Sequence, residues 1–465
     1  MPDRLIALNA SYNQLTHIPN QLPEGLIDLT VNHNQLTVLP NNLPVSLKYL
    51  VISDNQFSQL SDKLPDSLWY LTANNNQLIR LPDNLPASIK YLAIANNQLT
   101  ELPKHLPNEL IELTVNNNPL VALPNTLPDT LKNLIAHTAQ LTALPDYLPN
   151  NLTVLDVYAN RLSRLPANLP NSLMSLNVNC NQLSDLPEHL PDSIKILDAS
   201  NNQLTRLPLS MPGMLESLYL RNNQLMALPN SLPDKLQNLN VSSNQLHPLP
   251  DNLLKALKYF YICYNQLTEL PDNLLGLDVD GNQLTTLSNH LPSKLSEIIV
   301  KNNKLVALPD NLPSKLEYLT ANNNQLTTIP DNLTNTLKYI NVSNNQLIIL
   351  PDNLPANLRH LDAHNNKLQK LPVRLPHALA VLDISDNKLP NLSVNLPRFL
   401  VKLDISNNQL TALPNNLPND LTTLNASKNQ LLALPDHLPA RLVDLKIDHN
   451  KLFYLPDNLV FLSVS

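Results

Sequence analysis

Only four glycines and two cysteines occur in 465 residues. The first shortage leaves no Gly-rich loop to cradle a phosphate. The second leaves no disulfide framework and no cysteine-rich cap. Aromatic core residues are also scarce, with five Phe and one Trp, so a core has to be filled by aliphatic side chains. There is no basic excess either. A formal charge of −7 and a pI near 5.9 argue against a general nucleic-acid binder, which needs a basic face. No apolar run reaches the length of a membrane span. The stretch Met1-Pro2-Asp3-Arg4-Leu5-Ile6-Ala7-Leu8 lacks the long apolar segment of a signal peptide.

What the chain has instead is a repeat. Asparagine returns every 21 residues at Asn13, Asn34, Asn55, Asn76, Asn97 and Asn118, then from Asn160 to Asn265, and from Asn282 to Asn450. Of 22 such anchor positions only Ala139 is not Asn, and only the step from Asn265 to Asn282 is short, at 17 residues. Around each anchor the pattern is that of Ile89-x-x-Leu92-x-Ile94-x-x-Asn97-x-Leu99. The alternation at Leu92 and Ile94 is that of a strand with one buried face. A strand this short cannot bury that face alone, so copies must stack side by side. The anchor amide, with its acceptor and two donors, is suited to bridge successive backbones in a ladder. The 41 prolines recur in Leu-Pro-x-x-Leu-Pro segments. Proline fixes φ and lacks a donor, so the returns are expected to be extended or polyproline-like.

The expected fold is a right-handed leucine-rich-repeat solenoid. It has a parallel β-sheet on the concave face, extended convex returns and little helix. One domain, residues 1–465, holds about 22 repeats of 21 residues with one shortened repeat at 266–282. That repeat lacks four residues at Leu274-Leu275-Gly276-Leu277, and the last coil, Leu459-Val460-Phe461-Leu462, lacks the same four. Cys180 and Cys263 lie almost four coils apart. At about 4.8 Å per strand that is roughly 19 Å, too far for a disulfide.

The inner surface is expected at positions −6, −4, −2 and −1 from each anchor, where side chains do not point into the core. Eleven of the 13 tyrosines fall there. Strand preference explains part of that bias. Tyrosine also gives a large amphipathic contact and is enriched at interfaces. The same positions carry fourteen acids against five bases, a net of −9, leaving +2 elsewhere. Such a surface favours a basic partner. Three patches concentrate these residues. The first is the column Tyr49, Tyr70 and Tyr91 with Trp69 beside it. The second is Tyr259, Tyr261 and Tyr264 with Tyr219 and Arg221, residue types common at binding hot spots. The third is Tyr318, Tyr339 and His360 above the carboxylates Asp362, Asp383 and Asp404, with His364 close by. Stacked carboxylates and histidines could attract a cation. Ligands spread along a flat surface are not expected to converge, so neither a metal nor any other cofactor is assigned. No positioned nucleophile–base pair emerges, and no catalytic residue is assigned.

The unit Leu-Pro-x-x-Leu-x-x-Leu-x-Val/Ala-x-x-Asn-x-Leu-x-x-Leu-Pro, as in Leu232-Pro233 through Leu249-Pro250, resembles the bacterial short-repeat subclass of leucine-rich repeats. That subclass is typical of effectors which pathogens deliver into host cells. Some are repeat scaffolds that bind host kinases, and others add a ubiquitin-ligase domain with a catalytic cysteine in a Cys-x-Asp motif. Here the cysteines read Cys180-Asn181-Gln182 and Cys263-Tyr264-Asn265, and neither the ligase domain nor the helical delivery segment is expected. The resemblance therefore implies a non-catalytic scaffold for host proteins, secreted into the host cell or otherwise cytoplasmic. The alternatives are the recognition half of a ubiquitin ligase and a surface protein for glycans or other ligands.

Overall fold

The computed structural model describes residues 4–247, 249–250, 257–270, 277–392 and 395–455. Part of the shortened repeat and the end of the final coil, including Leu459 and Leu462, lie outside these residues. Twenty-two short strands appear in chain order, one per coil, from β1 (Ala7–Asn9) to β22 (Asp444–Lys446). They pair in parallel, as one sheet from β1 to β13 (Tyr259–Tyr261) and another from β14 (Leu277–Asp278) to β22. The chain forms two compact units, the first running to Val241 and also including Leu257, and the second beginning at Ser242. Among the described residues there is no helix.

Register follows the repeat. In β3 (Tyr49–Val51), β4 (Tyr70–Thr72) and β5 (Tyr91–Ala93), Leu50 pairs with Leu71 and Leu71 with Leu92. The middle residue of each strand is buried, and the flanking residues are half-buried except Thr72, which is also buried. The leucines thus stack into an aliphatic column, joined by fully buried Ile52, Leu78 and Phe57. Each strand stops after three residues because the chain soon turns through the left-handed region. The residue before the anchor has φ of 54° at Asn75, 55° at Asn96 and 54° at Asn117. Asn tolerates that region better than most residues, which explains the Asn-Asn pairs.

The anchor ladder has a defined wiring. Asn97 is buried, and its Nδ2 donates to Ala73 O at 2.9 Å in the preceding coil, and to Ile94 O and Ala95 O at 3.1 Å in its own. Its Oδ1 accepts from Leu78 N at 2.9 Å. Anchors such as Asn55, Asn118 and Asn324 repeat this wiring and tie their coils to the ones before. Where Ala139 replaces Asn, Leu120 N turns instead to Asn118 O at 2.8 Å.

A second ladder runs along the other end of the strands. Ser67 Oγ lies 2.6 Å from Val45 O and 2.7 Å from Leu47 O, both in the preceding coil. Ser46, Ser88, Thr130, Ser172 and Thr336 repeat this contact nine residues before their anchors. The sequence signal for this ladder is the periodic Leu-Pro-x-Ser/Thr-Leu spacing. The prolines close tight turns on the return, as in Ile89 N to Pro86 O at 3.2 Å.

Candidate interaction surface

In the first unit, Tyr49, Tyr70 and Tyr91 open three adjacent strands and pair in register. Tyr49 and Tyr70 have ring centroids 6.1 Å apart, and Tyr70 and Tyr91 5.9 Å. Trp69 stands one residue before Tyr70 and meets Tyr49 edge-on at 5.6 Å and Tyr91 edge-on at 5.3 Å. The four rings form one half-buried aromatic cluster, an arrangement in which edge-to-face contacts hold each ring in place. Tyr219, in β11 (Ser217–Tyr219), is half-buried, and Arg221 beyond it is exposed. Two further stacks share the sheet face of this unit: Tyr12 on His33 at 4.2 Å and His137 on Tyr158 at 4.3 Å. Each pairs equivalent positions of neighbouring coils, so the 21-residue spacing could have revealed them.

In the second unit, Tyr259, Tyr261 and Tyr264 are all strongly exposed. Tyr264 is nevertheless fixed, since its hydroxyl donates to Asp280 Oδ2 at 2.7 Å. Lys301 Nζ lies 3.3 Å from the same carboxylate and Asn302 Nδ2 donates to its Oδ1 at 2.7 Å. Asp280 is buried. It therefore leaves the set of acids expected on the open face. The reason is general: small or short side chains two residues before the anchor, such as Ala95, Ser200, Ser343 and Ser385, are buried as well. At that position the chain has begun to bend into the turn, which can draw a side chain inward.

The third patch lies on β16 (Tyr318–Thr320), β17 (Tyr339–Asn341) and β18 (His360–Asp362). Tyr318 and Tyr339 are 6.4 Å apart, and His360 stacks on Tyr339 at 4.6 Å with an interplanar angle of 17°. Burial holds the His360 imidazole below its ordinary range, partly opposed by Asp362 and Asp383. Asp362, Asp383 and Asp404 occupy matching register positions on β18, β19 (Val381–Asp383) and β20 (Lys402–Asp404). Burial raises the Asp383 carboxyl, and hydrogen bonds from Ser385 offset part of the rise. The expectation that these side chains spread apart does not hold for all of them. One ligand atom each from Asp362, His364 and Asp383 lies within 4.8 Å of the others, because His364 folds back onto Asp362 at 2.7 Å.

Cys263 is poorly set up as a nucleophile. Cys263 is half-buried with its thiol 3.5 Å from Asp278 O, and burial followed by the Asp278 side chain pushes its pKa up to about 12. Cys180 is exposed at a turn. No helix among the described residues is long and apolar enough to cross a membrane.

A solenoid of one short strand, one Asn-anchored turn and one proline-rich return per coil is a leucine-rich-repeat fold. The Leucine Rich Repeat family signature matches residues 399–419. The solved structure of YopM from Yersinia enterocolitica WA-314 aligns over 99% of this chain and 91% of its own, at 36% identity and a TM-score of 0.71. A leucine-rich-repeat protein of Leptospira interrogans aligns over 83% of this chain and 91% of its own, at 25% identity and a TM-score of 0.56. The plant peptide hormone receptor RGFR1, solved in complex with RGF2, shares the fold at 23% identity, covering 97% and 90% of the two chains with a TM-score of 0.65. No curated protein matches the chain in sequence. This chain belongs to the YopM family of bacterial leucine-rich-repeat effectors.

Proposed function

We propose that this protein is a non-catalytic scaffold that binds partner proteins through its sheet face, acting as a secreted bacterial effector on host proteins. The observation that carries the reading is the aromatic cluster of Tyr49, Trp69, Tyr70 and Tyr91, four rings ordered by mutual contact yet open to solvent. Ordering such rings before binding reduces the entropy that a partner would otherwise have to offset. Tyr219 and Arg221 in the first unit, and Tyr259, Tyr261, Tyr264, Tyr318, Tyr339 and His360 in the second, extend the same face chemistry. The carboxylates of Asp362, Asp383 and Asp404 favour a partner with a basic surface rather than nucleic acid. Among relatives of the fold, RGFR1 was solved with RGF2 bound, and YopM is a bacterial effector; both are consistent with protein recognition. The raised thiol of Cys263 supports a scaffold without chemistry of its own.

The test is retention of host proteins from a cell lysate by the purified chain. A variant with Tyr49, Tyr70, Tyr91, Tyr259 and Tyr261 changed to Ser serves as comparison. Wild type is expected to retain a defined protein that the folded variant loses. Equal retention by both would remove the tyrosine face from consideration.

A further inference from the structure

Beyond protein recognition, we propose that Asp362, His364 and Asp383 form a binding site for a borderline divalent transition ion of the Zn2+ class. The three ligand atoms come from two adjacent coils and already lie within 4.8 Å of one another. Two ligands each about 2.1 Å from one ion can be at most about 4.2 Å apart, so side-chain adjustments under about 1 Å close the set. One imidazole with two carboxylates suits Zn2+, Co2+ or Ni2+ better than Ca2+ or Mg2+, which take oxygen alone.

The site is distinguished from the rest of the acidic column by how its oxygens are used. Asp383 Oδ1 accepts from Ser385 N at 3.0 Å and Ser385 Oγ at 2.7 Å. Asp404 Oδ1 is held in the same way by Ser406, and its Oδ2 also accepts from Asn425 Nδ2 at 2.9 Å. Asp383 Oδ2 has no such donor, and Asp383 forms no ion pair among the described residues. One coil earlier a histidine replaces the serine: His364 sits at the position of Ser385 and Ser406, and its Nδ1 faces Asp362 Oδ1 at 2.7 Å. Two half-buried carboxylates are thus side by side with one imidazole, and among the described residues neither forms an ion pair with a Lys or Arg.

The histidine is held by partners outside the set. Its Nε2 is 3.2 Å from Asn344 Nδ2, and Asn344 Oδ1 accepts from Asn365 Nδ2 at 2.7 Å. An amide nitrogen only donates, so Nε2 accepts and the proton of the neutral ring sits on Nδ1. Metal binding needs the other tautomer: the ring releases its Nδ1 proton to solvent and takes one from solvent at Nε2, so a neutral imidazole offers the Nδ1 lone pair to the ion beside the two carboxylates. Rotation of the Asn344 amide exchanges its nitrogen for its oxygen, which then accepts from Nε2–H and fixes the ring orientation, as outer partners do at metal sites.

The test uses the full, untagged chain after metal removal. Calorimetric titration with Zn2+ is combined with Co2+ absorption, with and without a hundredfold excess of Ca2+. His364→Ser installs the residue that neighbouring coils already carry, so the fold should survive, and Asp383→Asn is isosteric. Asp404→Asn serves as the control one coil away. The proposal expects wild type to bind one Zn2+ that Ca2+ does not displace. It expects His364→Ser and Asp383→Asn each to weaken that site at least tenfold, and Asp404→Asn to leave it unchanged. Equal titrations for wild type and both ligand variants, or displacement by Ca2+, would overturn it.

Discussion

The left-handed turn residue before each anchor shows how far one position can be constrained by its neighbours. Most coils place Asn, Asp, Ser or His there, but the coil ending at Asn282 places Gly281, with φ of 66°. Conformation alone does not demand glycine, since Asn holds a similar φ in other coils. The neighbour does: a Cβ on Gly281 would come within 2.3 Å of the Tyr264 ring, itself pinned by Asp280. Gly281→Asn is therefore expected to destabilise the chain by about 1–3 kcal/mol, the usual cost of overpacking. In a Tyr264→Asn background the same change should cost little, and urea midpoints of the four proteins measure the difference. Equal costs in both backgrounds would show that the ring is not the obstacle. The turn preference was legible in the Asn-Asn pairs; the dependence of Gly281 on Tyr264 was not, because a clash between coils is invisible in spacing.

Histidine burial sets a second residue-scale expectation. His137 and His360 each stack on a tyrosine, and burial lowers both imidazoles from the ordinary 6.5. A lowered folded value means that the unfolded chain holds more protons between that value and 6.5. Stability is accordingly lost as pH falls through that window. The double variant His137→Gln with His360→Gln should show a smaller drop in urea midpoint between pH 7.5 and 5.5 than wild type. An unchanged drop would contradict the assignment.

At the scale of the element, the two ladders explain why strands of three residues suffice. Most coils are tied to the previous one by an Asn amide at one end of the strand, and many are also tied by a Ser or Thr hydroxyl at the other. Asn97→Ala removes four hydrogen bonds and leaves Leu78 N without its acceptor. Leaving such buried groups unpaired costs about 1–3 kcal/mol each, so a loss of about 2–4 kcal/mol is expected, since local turns recover part of it. Coil 139 displays that recovery, with Leu120 N bonded to Asn118 O. Ala139→Asn should restore the rung and raise the urea midpoint, by about 1 kcal/mol. A midpoint that falls would mean that the local turn is the better solution there. The Asn ladder was readable because its period is strict. The hydroxyl ladder alternates Ser, Thr and Asn, as at Asn151 and Asn357, which blurred its period.

For the molecule as a whole, the repeat fixed the fold class from spacing alone, and the YopM structure over 99% of the chain agrees with it. The candidate face was legible only in part. Period and strand alternation located the Tyr49, Tyr70 and Tyr91 column, whose register the strands reproduce. They could not show that Asp280 is buried or that His364 bends back onto Asp362, since both depend on side-chain packing between coils. The central claim is that binding resides on the sheet face and not on the returns, where Val45, Leu209 and Val373 are also exposed. The direct measurement is the affinity of a captured partner for two variants. One changes Tyr49, Tyr70 and Tyr91 to Ser, and the other changes Val45, Leu209 and Val373 to Ser. The account predicts at least a tenfold loss, about 1.4 kcal/mol, for the sheet-face variant and no change for the return-face variant. The reverse pattern would contradict it.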